Sequence, residues 1–137
     1  MTSATIAILG NPRAGKDVRR LFGSGHSTDT SKFTTRRLIT IAALEAGASN
    51  VVLMPDRNGL AERAIEGLGS NVGLIDIDPW GSSEDTTRSA QWVRDRRVGA
   101  LVALGGDGTS RDVVMGWNDA PLIALSTGTN NVFPTSI

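Results

Sequence analysis

The apolar run Ala100-Leu101-Val102-Ala103-Leu104 ends abruptly in Gly105-Gly106-Asp107-Gly108-Thr109, and this junction constrains the fold more than any other stretch. Uninterrupted apolar residues over that length suit a strand, and a strand without polar alternation has to be covered on both faces. The same kind of junction recurs along the chain. Thr5–Leu9 runs into Gly10-Asn11-Pro12, Asn50–Met54 into Pro55-Asp56, Val72–Asp76 into Asp78-Pro79, and Pro121–Leu125 into Ser126. Helical spacing fills the intervals. A short helix is expected through Val18, Leu21 and Phe22, stopped by Gly23 and Gly25, with His26–Lys32 a polar loop. A longer helix from Thr34 places Leu38, Ile41, Ala42 and Ala46 on one face and closes at Gly47. Leu60, Ala61, Ala64, Ile65 and Leu68 mark another helix, closed by Gly69. Ser82 and Ser83 ahead of Glu84 and Asp85 read as a capped helix start, with Ala90 and Val93 inward and Arg94, Arg96 and Arg97 at the far end. Arg111–Trp117 is a brief last helix. Strand–helix alternation of this kind predicts an α/β three-layer sandwich on a parallel sheet.

A chain of 137 residues suits one domain of ordinary size. Lysine plus arginine and aspartate plus glutamate each number 14, so no net field draws the protein to nucleic acid or to a membrane. The charge is uneven, however. Arg13, Lys16, Arg19, Arg20, Lys32, Arg36 and Arg37 crowd the first part of the chain. Cysteine is absent, which excludes disulfides and thiolate metal sites. No apolar stretch approaches the roughly 20 residues that span a bilayer, and the opening residues do not form a signal peptide. A cytoplasmic location is therefore expected. A lone His26 supports neither a histidine triad nor a metal cluster, and Trp80, Trp92 and Trp117 are expected to pack at helix ends.

A parallel sheet gathers its strand exits at one edge, where open α/β folds place their ligands. Gly10-Asn11, Gly105–Thr109 and Ser126–Asn131 should therefore face a common crevice. Glycine lets backbone N–H groups approach a phosphate closely, and a helix N-terminus adds favourable dipole charge. Asp107 between glycines suits a metal, a sugar hydroxyl or a transferable phosphoryl group. Asparagine and threonine in these loops offer amides and hydroxyls, although both also serve in ordinary turns. The stretch Gly10–Lys16 matches the G-x-x-x-x-G-K of phosphate-cradling loops, but Asp17 replaces the magnesium-binding hydroxyl and Pro12 removes a donor. Lys16 and its neighbours then form either a solvated basic face or an auxiliary phosphate contact.

Taken together, Gly105-Gly106-Asp107-Gly108-Thr109, Ser126-Thr127-Gly128-Thr129-Asn130-Asn131 and Asn11-Pro12-Arg13-Ala14-Gly15 resemble the superfamily of NAD kinases and diacylglycerol kinases. Asn11–Leu21, Met54-Pro55-Asp56 and Ser126–Pro134 are similar to the ATP-NAD kinase-like proteins of the acetoin catabolism type. The resemblance implies the Rossmann-like N-terminal domain of that architecture, here residues 1–126. Residues 127–137 would open a connection to a second, β-rich domain, and without it the chain is expected to be inactive as a kinase. It further implies that Asn11, Gly105, Gly106, Gly108, Thr109, Thr127, Gly128, Thr129, Asn130 and Asn131 contact the nucleotide. Asp107 would act on the acceptor hydroxyl as general base. ATP with Mg2+ would be the donor and NAD a candidate acceptor, in a complete protein that is a homo-oligomer. Asn131 stands where the lipid-kinase version carries aspartate, which leaves the acceptor open. The other reading is a non-catalytic nucleotide-binding or regulatory module linked to acetoin catabolism.

Overall fold

A computed structural model describes residues 4–10 and 28–126, with side chains in the second stretch from residue 33 onward. In chain order the elements are β1 (Thr5–Gly10), α1 (Thr28–Glu45), β2 (Asn50–Leu53), α2 (Leu60–Ala64), β3 (Val72–Leu74), α3 (Glu84–Asp95), β4 (Ala100–Leu104), α4 (Asp107–Gly116) and β5 (Leu122–Leu125). The strands form a single sheet in the order β3-β2-β1-β4-β5, and every pairing is parallel.

The expected layering follows from strand alternation. Ala7, Leu9, Leu101 and Ala103 point to one face, where Ala90 and Val93 of α3 and Val113 of α4 cover them. Ile8, Val51, Leu53, Val102 and Leu104 point to the other, against Ala61 and Ala64 of α2 and Phe33, Ile39, Ala43 and Leu44 of α1. The helix α1 differs from expectation in two ways. It begins at Thr28, so residues 28–32 are helical rather than loop. Its inward face also carries the buried Arg36 and Thr40, while Leu38 is exposed and Ala42 and Ala46 face solvent. Apolar spacing misplaces this face because two polar side chains occupy it. The Thr40 hydroxyl donates to the Arg36 carbonyl at 2.7 Å, so its burial leaves no polar atom unmatched.

Other boundaries moved for local reasons. Gly47, at φ +110°, ends α1, with its N–H on the Leu44 carbonyl and that of Ala48 on the Ala43 carbonyl. The helix α2 is one short stretch because turns through Glu66 and Leu68 replace its continuation. Ser83 does not cap α3 with its side chain. Asp85 instead turns back to accept the N–H groups of Trp80 and Gly81 at 2.9 and 2.8 Å. Among the described residues, no helix is long and apolar enough to cross a membrane.

Candidate functional site

The connections from β1 and β4 depart in opposite directions. β1 leads by α1 to β2 on one side of the sheet, and β4 by α4 to β5 on the other. The crevice of an open α/β sheet lies at such a reversal, outside the carboxyl ends of the strands. Here the reversal falls between β1 and β4, at the level of Gly10 and Leu104. Their exits are level, since Gly10 pairs with Leu104 and Leu104 with Leu125. The strand ends leading to Asn11, to the Gly105 turn and to Thr127 thus stand side by side. Asn11, Thr127, Gly128, Thr129, Asn130 and Asn131 themselves lie outside the described residues, as do Lys16 and Asp17.

The Gly105 turn is tighter than its sequence suggests. The helix α4 starts at Asp107, not Arg111, with Gly106 as N-cap. One residue reverses the chain. Gly105 sits at φ +146°, where a side chain would be strained and would press on Thr109. Its N–H is already bonded to the Leu125 carbonyl at 3.0 Å, so Gly105 extends the β4–β5 ladder. Thr109 is buried beneath it. These two residues therefore build the floor of the turn. Gly106, Asp107 and Gly108 are exposed above that floor, and no atom lies within 4 Å of where a Cβ would stand at Gly106 or Gly108. First-turn N–H groups lack intrahelical acceptors and carry the positive end of the helix dipole. The result is an open helix terminus, of the kind that suits an anion, presenting a single carboxylate.

Arg36 is the residue whose place sequence reasoning did not find. It is buried, and its Nη2 donates to the Gly10 carbonyl at 3.2 Å. Loss of water around the guanidinium pulls its pKa below the ordinary arginine value, while the charge of Asp56 opposes that shift. Arg37 reaches the carbonyls of Ala64 and Glu66 at 3.1 and 2.8 Å, tying α1 to α2. Neither arginine belongs to a solvated basic face. The Met54-Pro55-Asp56 segment has a structural duty as well. Asp56 accepts the N–H groups of Asn58, Leu60 and Ala61 at 2.9–3.0 Å, holding the start of α2. Trp92 and Trp117 pack against the core as expected, but Trp80 is 52% exposed.

Comparison with known proteins agrees with this geometry. Residues 6–136 match the family model described as the ATP-NAD kinase N-terminal domain. The chain belongs to the NAD kinase family. It is also similar to acetoin catabolism protein X of Cupriavidus necator, 35% identical over 139 aligned residues that cover 94% of this chain. The chain spans 39% of that relative's length. No solved structure gave a significant match. The family match runs from β1 through Asn130 and Asn131, so it includes all the residues that the sequence offered for nucleotide contact.

Proposed function

We propose that this domain binds the nucleotide of an ATP-dependent, NAD kinase-like phosphotransferase, which moves the γ-phosphoryl group to a hydroxyl such as the 2′-hydroxyl of NAD. The observation that carries this reading is the open first turn of α4, Gly106–Gly108, at the switch point of a parallel sheet. Its N–H groups are free of helical partners and suit phosphate oxygens. Among the described residues, no three His, Cys, Asp or Glu side chains gather to cage a metal ion. Mg2+ would neutralise the charge of the triphosphate, and Asp107 is the acid that this turn presents. In the transfer, the acceptor oxygen bonds to the γ-phosphorus and the β–γ bridging oxygen leaves with ADP. Asp107 orients the acceptor hydroxyl and takes its proton. Chemistry of this kind rests on positioning and charge more than on covalent steps.

The name of the Cupriavidus relative places it in acetoin catabolism without stating a reaction. That favours, as a second reading, a nucleotide-binding regulatory module with no turnover. One assay separates the two: ATP consumption against NAD, NADH and simple diols, beside equilibrium ATP binding, for wild type and Asp107→Asn. A general base typically contributes about 10²–10⁴-fold. The kinase reading expects a loss of that size in the variant, with ATP affinity within a few-fold of wild type. Undiminished turnover in Asp107→Asn removes this residue from the mechanism, and binding without any consumption favours the regulatory reading.

A further inference from the structure

We propose that Trp80 is the stacking platform for the heteroaromatic base of the bound nucleotide, an inference that rests on the nucleotide reading above. The chain leaves β3 at the same carboxyl edge as the Gly105 turn and passes Asp78 and Pro79 to reach Trp80, just ahead of α3. Trp80 is 52% exposed, and it is the one aromatic among the described residues with a large open surface. It is also held from several directions. The Trp80 backbone N–H donates to Asp85 Oδ1 at 2.9 Å, and its backbone carbonyl accepts from Arg57 Nη1 at 3.1 Å, so the main chain that carries the ring is fixed. The Arg88 guanidinium covers one face of the ring, 3.8 Å from its centroid. Arg88 is itself fixed, by Asp85 Oδ1 at 3.0 Å and by the Asp78 carbonyl at 2.9 Å.

The ring is thus braced on one face and open to solvent beyond it. A side chain already immobilised loses little further entropy when a flat ligand lands on it. Every nucleobase has a π-face that such a surface accepts. Position fits as well. β3 and β4 are separated in the sheet by β2 and β1, so their exits stand roughly 14 Å apart at ~4.8 Å per interstrand step. An extended nucleotide with its terminal phosphates on α4 would carry its base along this edge, past the ends of β1 and β2, toward the indole.

Binding of ATP compared with inorganic tripolyphosphate, which has no base, tests the inference. Trp80→Ala should weaken ATP binding about tenfold or more, the range of a lost base–aromatic stack, and leave tripolyphosphate unchanged. Trp80→Phe should keep most of the ATP affinity. Trp80→Leu, apolar and bulky but without a π-face, repeats the test should the alanine variant melt early, and is expected to lose ATP affinity likewise. Unaltered ATP affinity in the alanine or leucine variant overturns the stacking role and leaves the proposed function standing. Equal weakening of both ligands overturns it too, since that marks general damage. Wild-type protein that binds neither ligand sinks the nucleotide reading and the platform with it.

Discussion

Gly10 has no room for a methyl group. A Cβ there would stand 2.9 Å from both the Cβ and the carbonyl oxygen of Leu104, and 3.3 Å from Arg36 Nη2. The close approach of β1 and β4 at the crevice floor therefore requires glycine. Gly10→Ala should destabilise by about 1–3 kcal/mol through overpacking, read from the midpoint of urea unfolding. Asp85 is the other residue on which a local unit depends, since it joins the Trp80 and Gly81 N–H groups to Arg88 while 3% exposed. Asp85→Ala strands those donors and should cost about 1–3 kcal/mol. In the same variant the Trp80 emission maximum should move to the red as the ring loosens. Asp112 sets a pH effect with a clear sign. Desolvation raises its pKa above the ordinary aspartate value, against the opposing charge of Arg111. Between the unfolded and folded values the native state keeps a proton that the unfolded chain has lost, so stability falls as pH rises through that window. Asp112→Asn should flatten the fall, and a series of melts from pH 3 upward would reveal it. The amplitude is expected to be small because Asp112 is only partly shielded from water.

At the scale of elements, helices α3 and α4 meet where Gly116 lies against the backbone of α3. A Cβ on Gly116 would collide with the Thr87 carbonyl oxygen and approach the Ala90 Cβ to 2.9 Å. The Thr87 hydroxyl donates to the Asp112 carbonyl at 2.8 Å, and Arg94 Nη1 to the Gly116 carbonyl at 3.2 Å, so the contact is pinned at both ends. Gly116→Ala should push α4 away from α3 and lower stability by about 1–3 kcal/mol. The same shift would tilt the N-terminal turn of α4, so nucleotide affinity should fall together with the melting temperature. The helix α1 teaches a different lesson. Its inward face could not be found from apolar spacing, because Arg36 and Thr40 are buried there through hydrogen bonds to the Gly10 and Arg36 carbonyls. Of the Ser82-Ser83 pair only Ser82 serves the start of α3 with its side chain, its hydroxyl accepting the Glu84 N–H at 3.3 Å, while Asp85 serves the preceding loop. Spacing reads helices well only where burial and hydrophobicity coincide, as for Leu60, Ala61 and Ala64 in α2 and Ala90 and Val93 in α3.

Across the whole molecule, cohesion is greatest in the middle of the sheet. Leu101 is 0% exposed in the inner strand β4, whereas Ile123 in the edge strand β5 is 52% exposed. Leu101→Ala should cost about 2–5 kcal/mol, while Ile123→Ala should stay near or below 1 kcal/mol, measured by denaturant unfolding of the two variants. Amide exchange should follow the same gradient, slowest in β1 and β4 and faster in β5. The sequence by itself determined the strand–helix alternation, the strand ends to within a residue or two, the parallel class of sheet and the presence of a glycine turn after Leu104. These follow from local apolar runs and from glycine's backbone, which need no distant partner. Only the tertiary structure decided the strand order, the burial of Arg36 beside Gly10, and the division of the turn into a floor of Gly105 and Thr109 beneath an open rim of Gly106–Gly108. Each of those depends on which carbonyl or neighbour the fold delivers from far along the chain, such as Leu125 to the Gly105 N–H, and no local pattern encodes that.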